Sequence, residues 1–132
     1  MLMALTKDPR EEIREELKDV LHKVEPLGAQ VLVAVFERPK MTAGGIELPD
    51  IVLKEDGFQG KVGMVLKNGP IAFTSDETHR FGDRVPEPGD WVLFSVGDTF
   101  PFDLLVPSGK RRCRLVEDVH IRAIVQQPDI VY

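Results

Sequence analysis

Glu37-Arg38-Pro39-Lys40-Met41-Thr42-Ala43-Gly44-Gly45-Ile46-Glu47-Leu48-Pro49-Asp50-Ile51-Val52-Leu53-Lys54-Glu55-Asp56-Gly57-Phe58-Gln59-Gly60 is the stretch on which the reading of the fold turns. Pro39, Gly44, Gly45, Pro49, Gly57 and Gly60 break it too often for a helix or strand to persist. Ile46, Leu48, Ile51, Val52, Leu53 and Phe58 make it too apolar for a solvated linker. A loop of this length inside a compact domain is functional or disordered. It is therefore expected to be mobile when free and to be the working surface, with the rest of the chain holding it out.

Both flanks read as strands. Before the loop, Pro26-Leu27-Gly28 turns the chain into Gln30-Val31-Leu32-Val33-Ala34-Val35-Phe36, a β-branched run. After it, Gly60-Lys61-Val62-Gly63-Met64-Val65-Leu66-Lys67 resumes, and Asn68-Gly69-Pro70 supplies a turn.

Further out, residues 70–90 have mixed polarity and end in Pro86-Glu87-Pro88-Gly89-Asp90, which predicts an excursion shaped as a β-hairpin with its tip near 75–78. Trp91-Val92-Leu93-Phe94-Ser95-Val96 is the most apolar strand and is expected to be central to the core. Residues 100–106 give a strand that Pro101 marks as irregular or at an edge, and Pro107-Ser108-Gly109 turns it. Strands at 112–116 and 119–125 follow, and a tail at 126–132 carries Ile130, Val131 and Tyr132, apolar enough to need a partner. About six to eight short strands separated by turns predict a mainly β chain, a small β-barrel or sandwich.

Toward the N-terminus, Asp8 reads as an N-cap, Pro9 as the first helical residue and Glu11 as the return arm of a capping box. Ile13, Leu17, Val20, Leu21 and Val24 share one face of an amphipathic helix over residues 8–25. That face packs either on its own domain or on a neighbouring subunit.

At 132 residues the chain is sized for a single domain, 1–132. Its 10 prolines and 11 glycines favour turn-rich β architecture over a helical bundle. A net charge of −5 argues against nucleic acid as a partner, since phosphate affinity comes from clustered cations. The dense basic run is Lys110-Arg111-Arg112, read as a solvated hairpin tip or as subunit salt bridges. One cysteine, Cys113, fits a reducing compartment, and no signal peptide or apolar span is legible, so a cytoplasmic protein with no membrane partner is expected.

The chemistry of an enzyme is not legible. His22, His79 and His120 fall on separate elements without the close ligand spacing of a metal site. Gly44-Gly45 is not followed by the Lys-Ser/Thr of a phosphate-binding loop, so no cofactor is expected. Cys113, set between Arg112 and Arg114 read as outward-facing, is expected to be a buried structural thiol. The acidic pairs Asp76-Glu77 and Glu117-Asp118 do not converge, and no catalytic residue is assigned.

The order of elements resembles the chaperonin-10 (GroES-like) co-chaperonins. Pro26-Leu27 leading into Val31-Leu32-Val33 is similar to that family's opening strand, and Ala43-Gly44-Gly45-Ile46-Glu47-Leu48 resembles its mobile-loop motif. Gly60-Lys61-Val62-Gly63-Met64-Val65 resembles the next strand, Pro88-Gly89-Asp90-Trp91-Val92-Leu93-Phe94 its Gly-Asp-x-Val strand entry, and Val119-His120-Ile121-Arg122-Ala123-Ile124-Val125 its closing strand. The resemblance covers about residues 26–125.

It implies a GroES-like β-barrel with a mobile loop at 37–60 and a roof hairpin at 70–90. It further implies a homo-oligomeric ring, usually a heptamer, that caps an ATP-dependent chaperonin around a folding client and is not itself an enzyme. The chaperonin-binding residues would be Gly44, Gly45, Ile46, Glu47 and Leu48, with Ile51, Val52 and Leu53 as a possible secondary contact. In the family the opening strand pairs with a neighbour's closing strand, which would set residues 31–35 beside 121–125.

Three departures qualify the match. Glu47 sits at the centre of the apolar tripeptide, the loop is longer than usual, and the helix and tail extend beyond the family core. Such divergence resembles a phage-encoded co-chaperonin more than a housekeeping one. The rival reading is a β-barrel that decorates a viral particle and docks through the same loop. The catalytic-domain barrel of a medium-chain dehydrogenase is disfavoured because the nucleotide-binding half and zinc ligands are missing.

Overall fold

Alternating β-branched runs become six strands in a computed structural model that describes residues 8–37 and 61–131. The strands are β1 (Gln30–Val35), β2 (Val62–Asn68), β3 (Trp91–Phe94), β4 (Thr99–Val106), β5 (Gly109–Glu117) and β6 (Ile121–Val125). They form one antiparallel sheet in the order β4-β5-β1-β2-β3-β6. The chain is thus mainly β, as its turn-rich composition leads one to expect.

The sheet is apolar on both faces. Leu32, Ala34 and Phe36 project into one cluster with Met64, Trp91 and Cys113, while Val31 and Val33 project into another with Val65, Val92, Phe94 and Val116. Successive residues of a strand point to opposite faces, so β1 and β2 are lined with apolar side chains at nearly every position because both sides are covered. Trp91, Val92 and Phe94 are buried in these clusters, yet β3 lies next to the edge strand β6. The middle of the sheet belongs to β1 and β2.

The first cluster is covered by the N-terminal helix, α1 (Pro9–Leu17). Asp8 caps it by accepting the Arg10 amide at 2.9 Å, whereas Glu11 engages Arg14 at 3.2 Å. The expected helix over 8–25 is shorter than predicted. After Leu17 the chain tightens into i to i+3 bonds, with Val20 N–H on the Leu17 carbonyl and Val24 N–H on that of Leu21. This redirection still lays Val20, Leu21 and Val24 on the cluster that buries Ile13 and Leu17. Partial burial of three such side chains is worth on the order of 1 kcal/mol each, enough together to override helix propensity over a turn. Of the two predicted fates of this face, packing on its own sheet is the one observed.

Residues 70–90 differ from expectation more sharply. No strand forms between β2 and β3 among the described residues, so the predicted hairpin is corrected to an irregular excursion. Side chains replace the ladder. Asp76 accepts the amides of Thr78 and His79 at 2.8 and 2.7 Å, and Ser75 both accepts from the Phe81 amide and donates to its carbonyl. A backbone bond from Asp76 to His79 closes the tip, close to where the turn was predicted. Ala72 and Phe73 from this excursion pack against the second cluster.

The excursion ends in a tight turn. Gly89 has φ +100°, the Asp90 amide donates to the Glu87 carbonyl at 2.9 Å, and Pro88 precedes the glycine. That combination suits a type II turn, in which the third residue must reach positive φ.

Strand order corrects one expectation about assembly. Because β1 is hydrogen-bonded to β2 on one side and β5 on the other, residues 31–35 have no edge to offer a neighbour's 121–125. Among the described residues, the edges left open in the sheet are those of β4 and β6. Pro101 accordingly sits in an edge strand, where its missing N–H costs no ladder bond.

Candidate functional site

The residues assigned to chaperonin binding, Gly44, Gly45, Ile46, Glu47 and Leu48, and the secondary group Ile51, Val52 and Leu53, lie outside the described residues. What the structure does describe is the pair of strand ends that flank residues 38–60. The chain leaves the sheet at the end of β1 and returns at the start of β2, and these strands are antiparallel neighbours with Val35 registered to Gly63. Phe36 N–H donates to the Val62 carbonyl at 2.9 Å. The two ends of the segment are therefore one hydrogen bond apart, and Phe36 is fixed by an edge-to-face contact with Trp91 at 5.6 Å.

A charged cluster lies beside this base. Arg111 of β5 is buried, and its Nη2 donates to the Val35 carbonyl at 2.7 Å. Its Nη1 donates to Glu16 Oε1 of α1 at 3.3 Å and lies 3.9 Å from Glu37 Oε2. Burial pushes the Glu37 carboxyl above its ordinary value, against the opposing pull of Arg111. Arg112, on the opposite face, pairs with Asp103 at 3.0 Å.

The basic run read as a solvated tip or as subunit salt bridges is thus divided, with Lys110 exposed, Arg111 buried and Arg112 paired. The signal was available: Cys113 was read as pointing inward, and strand periodicity puts Arg111 on the same face.

Cys113 is indeed fully buried, and its thiol is pushed up to about 12 by burial. Arg114, read as outward-facing, is buried and donates to Thr99 Oγ1 at 2.7 Å. It points away from Cys113, but into the second covered face.

On the other side of the molecule the excursion and β6 bound a groove of about 710 Å³. Phe73, Phe81 and Pro86 give it apolar walls, and Arg80, Arg84 and Arg122 give it positive charge. The three histidines lie apart, in the turn at Leu21–Lys23, the excursion tip and the turn at Asp118–His120.

The fold and the spacing of its elements agree with a family model. The model described as "Chaperonin 10 Kd subunit" matches residues 23–125, which takes in all six strands and the segment between β1 and β2. The chain belongs to the chaperonin 10 family.

Members of this family are co-chaperonins that work with a chaperonin, and the family is not one of enzymes. The match begins at residue 23 and ends at 125, so α1 and residues 126–131 lie outside the matched residues. No helix among the described residues is long and apolar enough to cross a membrane.

Proposed function

We propose that this chain is a cytoplasmic co-chaperonin that assembles into a heptameric ring and caps an ATP-dependent chaperonin, enclosing a folding client. Docking runs through Ile46 and Leu48, with Gly44 and Gly45 supplying the positive-φ turn that presents them. In extended backbone Ile46 and Leu48 point the same way and Glu47 the other, so an acidic centre is compatible with an apolar contact. Residues 51–53 stand as a secondary contact.

The observation that carries this reading is the base of the segment. Neighbouring strands in the most buried part of the sheet hold the residues on either side of 38–60 together, which supports reading that segment as one docking arm. Ordering backbone costs about 1–2 kcal/mol per residue, which keeps each single contact weak. Several identical arms on a ring make later contacts intramolecular and raise avidity by roughly a hundredfold or more. Such a cap binds firmly yet is released by one conformational step in its partner.

The open edges of β4 and β6 support assembly, because an unpaired strand edge readily accepts another chain. Mixing the purified protein with a chaperonin and nucleotide, then examining the mixture by electron microscopy, tests the proposal. Capped complexes are expected. Ring-shaped oligomers that leave the chaperonin bare would overturn it and favour the docking arm of a decoration protein.

A further inference from the structure

The geometry points to Arg111 as a positioning residue that couples helix α1 to the base of the 38–60 segment, so that this helix sets how firmly the arm engages its chaperonin. This rests on the docking reading above. Three elements meet at one guanidinium: Nη2 on the Val35 carbonyl at 2.7 Å, Nη1 on Glu16 at 3.3 Å, and Glu37 at 3.9 Å. Registered pairing between β1 and β5 stops at Ala34 and Cys113, one residue before Val35. Beyond that point the Arg111 side chain takes over from the ladder. The departing chain is therefore gripped on one side by Phe36 N–H on Val62 and on the other by Arg111 on Val35.

The helix end of this link is equally fixed. Glu16 precedes Leu17, which together with Ile13 is buried in the first cluster, so its carboxylate is presented from a backbone that cannot drift.

Stability alone does not account for an arginine here. Buried ion pairs roughly break even against apolar residues of similar size, and Leu104 faces Arg111 across β4, offering such a residue a ready contact. Arg111 Nε is also buried with no hydrogen-bond acceptor among the described residues, a cost that an apolar side chain would avoid. What the guanidinium adds is direction, because its planar fork holds two acceptors at set angles. Glu37, the last described residue before residue 38, also lies within reach of this guanidinium.

Glu16→Gln and Arg111→Met, made in the full chain, test the coupling through amide hydrogen exchange and chaperonin affinity. Both variants are expected to raise exchange at Phe36 by about tenfold while leaving Val92 and Val116 unchanged, and to weaken chaperonin binding by roughly fivefold. The double variant should match Arg111→Met alone, and Arg111→Lys should not restore binding, since an ammonium lacks the fork. Unchanged exchange at Phe36 in Glu16→Gln, the milder variant, would overturn the link. Wild-type protein that ignores chaperonin overturns the docking reading, whereas wild type and both variants binding equally overturns this one.

Discussion

Asp118 accepts the backbone amide of Phe73 at 2.9 Å across 45 residues of sequence, and Phe73 is the one non-glycine residue with positive φ, 59°, among those described. The left-handed region costs a bulky L-residue on the order of 1–2 kcal/mol, so the surrounding structure has to hold it there. Asp118 is buried, and its own amide is tied to the Ala29 carbonyl at 3.1 Å. One carboxylate thus joins the excursion to the turn before β6.

Replacing it by alanine strands the Phe73 amide. Asp118→Ala is expected to lower stability by about 1–3 kcal/mol in urea denaturation and to speed exchange through residues 71–81. Asp118→Asn, which keeps an acceptor oxygen, should lose less. Equal stability of all three proteins would mean that the excursion is held by its ring contacts alone, such as Phe73 against Phe81 at 5.5 Å.

Gly69 is a second pinned point. A Cβ there would clash with the Gly28 carbonyl oxygen and come within 2.8 Å of that of Gln30, both backbone atoms. Gly69→Ala should therefore cost on the order of 3 kcal/mol in thermal unfolding. Gly82→Ala, where the new methyl meets open space, is the control and should change little.

Glu37 makes stability depend on pH in the less common direction. Its folded-state carboxyl is raised by burial, so its contribution is fully present below the unfolded value and is lost as pH rises through the folded value. Removing the charge with Glu37→Gln should leave stability unchanged in acid and raise it relative to wild type on crossing the carboxylate range. Melting curves at a series of pH values decide this, and a constant difference across the series would reject it.

Cys113 should be chemically silent while the protein is folded. With its thiol raised to about 12 and fully buried, the thiolate that reacts is scarce and unreachable. A chromogenic thiol reagent is expected to label it only after denaturant is added. Prompt labelling of the native protein would show that the sheet opens at β5.

The proposed docking residues give the most direct functional prediction. Ile46→Ser and Leu48→Ser, together, should abolish chaperonin-assisted refolding while the oligomer, followed by light scattering, stays intact. Retained refolding would move the contact to Ile51, Val52 and Leu53.

The strands were legible because β-branched runs bounded by Gly, Pro and Asn turns carry their own signal. Pro101 even announced an edge. Less legible were features that depend on which faces are covered. Treating Arg114 as outward assumed a sheet with one wet face, and the second cluster around Val33 and Val116 removes that assumption. The excursion misled for a related reason: Asp76, Ser75 and Phe73 satisfy its backbone through side chains, and such bonds leave no periodicity in a sequence. Within the candidate site, breakers and apolar residues mark the segment in the sequence, and residues 38–60 themselves lie outside those described. The partners of Arg111 come from α1 and β1, 95 and 76 residues away in sequence, and no local pattern announces them.

The single bond between Phe36 and Val62 has a consequence for engineering. When two anchored strands fix the ends of an insertion, doubling its length adds only about 0.6 kcal/mol of closure entropy. The domain should then be nearly indifferent to what is carried between residues 38 and 60. Grafts of other recognition sequences could be exchanged there as cartridges, with specificity rewritten and the scaffold left as it is.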